Sequence, residues 1–324
     1  MRQTQIRNEV KDTEMKPQQN DTIDRRGFLK CMQWAGAGVV WSFAGGVPSS
    51  RLLGAETVSE PPADFTFVQI SDSHIGFNKP ANTNVTATLQ AAVDQINREI
   101  RQPDLILHTG DLTHLAKPEE FDTLQQLLRG LRRQEVFYVP GEHDVTGDDG
   151  KLYLERFGKS TAVPGRAWQS FDHKGVHFIG LNNSVQLEGL GELGGEQLDW
   201  LAKDISGLSA STPVVVFAHI PLWSVYPDWG WATKDSAQAL DLLKRFGSVT
   251  VLNGHIHQVM QKVEGNVTFH SAMSTAFPQP APGSAPSAGP MKVPAERLRQ
   301  LLGVTNVNFV AGNHHLAVVD TPLA

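Results

Sequence analysis

The chain has 324 residues, 40% of them hydrophobic, with 28 Lys and Arg against 34 Asp and Glu. That is apolar material enough for one large core or two small ones. Residues 1–55 carry 8 Lys/Arg and 5 Asp/Glu, and the remainder carries 20 and 29, a net of −9. So acidic a body argues against nucleic acid or an anionic membrane as a main partner. The one cysteine, Cys31, precedes it, which removes disulfides and thiolate chemistry from everything beyond residue 55.

In chain order, a Gln- and Asn-rich start runs to about Asp21. Asp24-Arg25-Arg26-Gly27-Phe28-Leu29-Lys30 then precedes the run "CMQWAGAGVVWSFAGGV". Paired arginines before a Gly/Ala-rich apolar run resemble a twin-arginine (Tat) export signal, with cleavage near Ala55. The run is short and rich in glycine for a membrane span, which needs roughly 20 apolar residues, and an uncleaved N-terminal anchor is the alternative to a cleaved signal. The expectation is a signal and N-terminal extension over 1–55, recognition by the Tat machinery, and a periplasmic or secreted domain over 56–324. That domain divides into a core, 65–271, and a C-terminal extension, 272–324.

Strands are expected at 65–71, 104–110, 135–141, 175–182, 213–219, 248–255 and 266–271, each a continuous apolar run. Between them lie helical patterns. Residues 84–101 place Leu89, Val93, Ile96 and Ile100 on one face. Residues 117–133 begin with Pro118 and two acids, and further helices are expected at 195–205 and 235–245. The alternation indicates an α/β fold with helices covering the sheets. Residues 277–290, "FPQPAPGSAPSAGP", read as an irregular excursion. A short helix near 294–302 and a strand near 307–319 return the chain to the body.

Metal-capable side chains collect where strands end. Asp72 and His74 follow the first, Asp111 the second, and Glu142, His143 and Asp144 the third. His219 ends "VVVFAH", and His255 and His257 end "VTVLNGHIH". Carboxyl ends of strands are where sites form in α/β sheets. Alternate residues of an extended segment project to one side, so Asp72 with His74, and His255 with His257, are expected to reach one centre or straddle two. Glycines at 110, 141 and 254 permit tight turns there.

The set "DSH", "GD", "GEHD", "AH" and "GHIH" resembles the calcineurin-like metallophosphoesterase superfamily, whose pattern is D-x-H, G-D, G-N-H-[DE], H and G-H-x-H. The resemblance covers 65–271. It implies a two-sheet β sandwich flanked by helices. It also implies two metal ions, Fe or Mn with Zn as the alternative. A first would be held by Asp72, His74, Asp111 and His257. A second would be held by Asp111, Glu142, His219 and His255. The donor set holds no sulfur and suits such ions. The implied reaction is hydrolysis of a small phosphomonoester or phosphodiester by metal-bound hydroxide. His143 and Asp144 are the candidate catalytic pair, His143 protonating the leaving oxygen and Asp144 tying down the turn or orienting His143.

Glu142 departs from the pattern, which has Asn there. Three readings follow. Glu142 ligates the second metal and lowers the site charge, which disfavours a phosphate dianion. Or it ligates and excludes phosphate, leaving a metal-binding or regulatory protein with little phosphatase activity. Or it points away and only the first site fills. Of the other histidines, His108 and His177 read as hydrogen-bonded core residues, His114, three after Asp111, is a candidate but not the favoured partner of the metal ligands, and His173 and His270 have no assigned role. "GNHH" at 312–315 reads as a decoy. The aromatic loop 225–233 reads as a cleft wall or a packed cap. Oligomeric state is not legible.

Overall fold

In the computed structural model the described residues are 38–44, 47–53, 64–158, 164–185, 187, 189–310 and 316–323. The Arg25-Arg26 motif, Cys31 and the "GNHH" stretch lie outside them. The chain divides into two units, Met1–Ser59 and Glu60–Ala324. In the first, β1 (Gly38–Ala44) pairs antiparallel with β2 (Val47–Leu53). Among the described residues no helix is long and apolar enough to cross a membrane.

The second unit is a two-sheet sandwich. One sheet has five strands: β3 (Phe65–Ile70), β4 (Leu105–Thr109), β5 (Val136–Val139), β12 (Gly303–Phe309) and β13 (Ala317–Pro322), in the order β13-β12-β3-β4-β5. The other has six: β6 (Gln169–His173), β7 (Val176–Gly180), β8 (Val214–Ala218), β9 (Val249–Asn253), β10 (Met260–Glu264) and β11 (Val267–Ser271). Their order is β10-β11-β9-β8-β7-β6. β3, β4 and β5 run parallel, as do β7, β8, β9 and β11, so their carboxyl ends emerge together within each sheet.

Side chains alternate across each strand, and the two faces find different partners. In β3, Phe65 and Phe67 enter the layer between the sheets with Leu105, Phe178, Phe217 and Leu252. Val68 and Ile70 face the other way, against α1 (Val85–Arg98), α2 (Pro118–Leu128) and α3 (Lys151–Phe157). α4 (Gly195–Ile205) and α5 (Ser236–Leu243) cover the second sheet through Leu201, Ile205, Ala239 and Leu243.

Two expectations need correction. α1 ends at Arg98, with its cap at Glu99, so Leu89, Val93 and Ile96 are buried while Ile100 lies beyond the helix and is exposed. The strand expected over 307–319 is two antiparallel strands, β12 and β13. The C-terminal extension returns to the body, where β12 pairs along β3.

Candidate metal centre

All seven proposed ligands and His143 meet at the ends of the strands. The first sheet brings Asp72 and His74 after β3, Asp111 after β4, and Glu142 and His143 after β5. The second brings His219 after β8 and His255 and His257 after β9. The loops after β3 and β4 continue the sheet, since Asp72 N–H donates to the Gly110 carbonyl at 3.0 Å and His74 N–H to the Asp111 carbonyl at 2.9 Å.

The side chains do not project from extended backbone, contrary to the alternation argument. Asp72, His74, Asp111, His255 and His257 all have left-handed φ, between 40° and 68°. Such a conformation costs a non-glycine residue of order 1–3 kcal/mol and persists where its surroundings over-determine it. Here sharp turns, not strand pleat, aim the side chains. The glycines allow the turns to close. A Cβ on Gly254 would overlap Ser71 Oγ and meet Asp72 Oδ2 at 2.6 Å, and one on Gly141 would strike the Asp111 carboxylate.

Two groups of donors result. In one, His257 Nε2 lies 3.2 Å from Asp72 Oδ1 and 3.2 Å from His74 Nε2. In the other, Glu142 places Oε1 3.0 Å from His255 Nδ1 and Oε2 2.9 Å from His219 Nε2. Asp111 stands between them, its Oδ2 3.4 Å from His74 Nε2 and 3.4 Å from His219 Nε2. Glu142 therefore points inward, and the reading in which it turns away is wrong for this geometry.

The imidazoles are oriented by backbone carbonyls. His219 Nδ1 lies 2.7 Å from the Thr109 carbonyl and His257 Nδ1 2.5 Å from that of Phe277. As donors there, both present an Nε2 lone pair to the centre. His143 is held likewise, its Nδ1 2.7 Å from the His114 carbonyl and its backbone N–H on Asp111 Oδ1 at 3.0 Å. Asp144 is fully buried. Its oxygens accept from the backbone N–H groups of Gly141, Leu112 and Thr113 and from the Thr113 hydroxyl, so it ties the "GEHD" turn to the "GD" turn.

Electrostatics follow from packing three carboxylates among imidazoles. Burial pushes the Asp72 carboxyl up, but His257, His219 and the Ser71 hydroxyl together hold it at about 2. Burial likewise works against Glu142, and His255 and His219 hold it well below the usual range. Burial depresses His219, while Asp111 and Glu142 outweigh it and raise the imidazole well above its usual value. His74 is pushed well down by burial and by the neighbouring His143, His257 and His114. Burial lowers His143 less than Asp111 and Glu142 raise it.

Residues 65–259 match the family model for calcineurin-like phosphoesterases. The chain belongs to that family. It is 28% identical over 218 residues, 65% of this chain and 79% of the other, to a 3′,5′-cyclic-nucleotide phosphodiesterase of Nostoc sp.. It is 27% identical over 237 residues, 71% of this chain and 72% of the other, to a cAMP/cGMP dual specificity phosphodiesterase of Mycobacterium tuberculosis. It is 25% identical over 205 residues, 61% and 71% of the two chains, to a glycerophosphodiester phosphodiesterase of Enterobacter lignolyticus. Its fold is similar to that of a dimetal phosphatase from Danio rerio, with a TM-score of 0.57 at 14% identity over 81% of this chain and 97% of that one.

The protein is thus a hydrolase of phosphoesters, and its centre fits the metals such enzymes use. Glu142 Oε2 and His219 Nε2 lie buried and charge-paired 2.9 Å apart but without the angle of a hydrogen bond, and a cation between them would satisfy both. Five groups of three donors, drawn from these residues and His114, lie within 4.8 Å. One of them, His74 with His114 and His143, is poorly built for chelation. The His114 and His143 rings are stacked 4.8 Å apart at 19°, so their in-plane lone pairs run side by side.

Among the described residues the remaining histidines are accounted for. His108 is buried against the Ser73 hydroxyl at 2.9 Å, and burial pushes it down to about 3. His177 sits between Asp172 at 2.8 Å and Asp204 at 2.9 Å. His270 meets Asp320 at 3.0 Å and His173 approaches Asp104 at 3.8 Å. His114 stacks on His143 and brings Nδ1 to 3.5 Å from that of His74. The aromatic loop packs on itself around a fully buried Trp231. Sequence reasoning missed Phe277, whose ring lies 4.7 Å from that of His74 at 27°. It also missed the carbonyls of Thr109 and Phe277, because backbone acceptors have no residue type.

Proposed function

We propose that this chain is an exported dinuclear phosphodiesterase acting on small diesters of the cyclic-nucleotide or glycerophosphodiester kind. The observation that carries it is the placement of Asp111 Oδ2, equidistant at 3.4 Å from His74 Nε2 and His219 Nε2, between two complete donor groups. Asp72, His74, Asp111 and His257 would hold one ion, and Asp111, Glu142, His219 and His255 the other. Bound there, a pair of ions such as Fe or Mn would supply charge neutralisation for the phosphate and a more acidic water for in-line displacement.

The chain's own residues do the rest. Asp111, Glu142 and Asp72 fix the charge of the site, and with two divalent ions these carboxylates leave one net positive charge. A diester monoanion suits that charge better than a monoester dianion, which agrees with the phosphodiesterases named above. His143, anchored through Nδ1 on the His114 carbonyl, keeps Nε2 for a proton. It is therefore set to donate to a departing alkoxide. The Arg25-Arg26 motif and the apolar run after it support export by the Tat route to the periplasm.

Hydrolysis of bis(p-nitrophenyl) phosphate, cyclic AMP and glycerophosphocholine by chelator-treated and metal-reconstituted protein tests the reading. The expected result is metal-dependent turnover of a diester, lost in Asp111→Asn. A chain that holds two metals but turns over no phosphoester would instead be a metal-binding protein on this scaffold.

A further inference from the structure

Four buried residues, Ser274 to Phe277, lie beyond the stretch matched by the family model, at the head of the Pro-rich segment. They are knitted to the two loops that carry the first metal position. The Ser274 hydroxyl donates to the Asp72 carbonyl at 2.8 Å, and Thr275 N–H donates to the Ser71 carbonyl at 3.0 Å. Phe277 then makes three contacts at once. Its carbonyl lies 2.5 Å from His257 Nδ1. Its ring lies 4.7 Å from the His74 ring at 27° and 4.7 Å from the His257 ring at 42°. Behind it, Phe77 packs 4.3 Å away.

The placement is one-sided. Phe277 touches the imidazoles of the first donor group, while His219 and His255 are oriented by other partners. An aromatic plane against two imidazoles removes their freedom to rotate, and the carbonyl selects the His257 tautomer. Both effects act before any ion arrives.

We propose that Phe277 is a positioning residue of the first metal position, holding His74 and His257 in the ligating orientation from a segment outside the family match. The inference rests on the dinuclear reading above and adds to it the residue that preorganises one half of the centre.

The test uses the full chain, loaded with Mn²⁺ and in parallel with Zn²⁺. Samples are equilibrated against graded chelator, and retained metal is read by plasma mass spectrometry alongside a thermal melt. Phe277→Ala keeps the carbonyl and removes the ring. It should weaken one of the two sites by ~10–100-fold, the usual effect of losing a residue that orients a ligand. At a chelator concentration where wild type keeps two metals, it should keep one. Phe277→Leu, which restores apolar volume, should hold the second metal better than the alanine variant.

Leu243→Ala in α5 is the control for lost stability without contact to the site, and it should keep both metals. Wild-type retention by Phe277→Ala overturns the inference and leaves the dinuclear reading intact. So does metal loss in Leu243→Ala equal to that in Phe277→Ala. A wild-type chain that binds neither ion overturns both.

Discussion

Glu142 is buried with both oxygens turned to imidazoles, where the family pattern has a neutral Asn. Its charge decides what the site attracts. A unit charge about 5 Å from a phosphate, at an effective dielectric near 20, is worth about 3 kcal/mol per unit of phosphate charge. Glu142→Asn should therefore shift kcat/KM for p-nitrophenyl phosphate relative to its diester upward by on the order of 100-fold. Metal content measured beside it separates this charge effect from loss of a ligand, and an unchanged ratio with two metals bound would refute it. Most of the centre was legible at this scale because its side chains are chemically distinctive and fall in short motifs at strand ends. What stayed hidden was conformation and backbone. The left-handed φ of Asp72, His74, His255 and His257 and the carbonyls beneath His219 and His257 are invisible in residue types.

Elements read well where one rule dominated. β8, "VVVFA", is buried throughout, and its apolar run announced it. β10, "MQKVE", is an exposed edge strand with no such run, and β6 and α3 are similarly mixed, so the sequence reading passed over all three. Turn geometry carries its own prediction. In Gly254→Ala the added Cβ meets Ser71 and Asp72. Overpacking of this kind costs about 1–3 kcal/mol. Moving Asp72 should also lower metal retention, as denaturant melts and metal analysis would show. His177 links β6, β7 and α4 through Asp172 and Asp204. Burial lowers its pKa, but the two carboxylates raise it more, to above 6.5. A raised folded-state pKa means stability that is full below the unfolded value of about 6.5 and lost as pH rises through the folded one. The Tm gap between wild type and His177→Gln should thus be widest near pH 6 and shrink in the alkaline range. A gap that widened with pH would contradict this.

For the whole molecule, the centre exists because two sheets are held in register, each supplying part of it. The layer between them is aromatic: Phe67 meets Phe178 at 5.3 Å edge-on, and Phe171 stacks on Phe178 at 4.9 Å. Phe178→Ala should cost about 3–5 kcal/mol, seen as a lower urea midpoint. Below that midpoint the surviving folded fraction should still bind metal, since no ligand is touched. The α/β layering was legible because apolar runs alternate with amphipathic stretches, and the two-sheet sandwich followed from the resemblance that the five motifs carry. The pairing of β12 along β3 was not legible, because it joins strands more than 200 residues apart in the sequence.

On the proposed reading these two donor groups, sharing Asp111, form a complete dinuclear centre in spite of Glu142. Metals per chain, by plasma mass spectrometry on protein exported and purified without added metal, tests it most directly. Two are expected, with iron or manganese predominant. One metal per chain would mean that Glu142 has disabled the second site, and the phosphodiesterase mechanism drawn from it would fall.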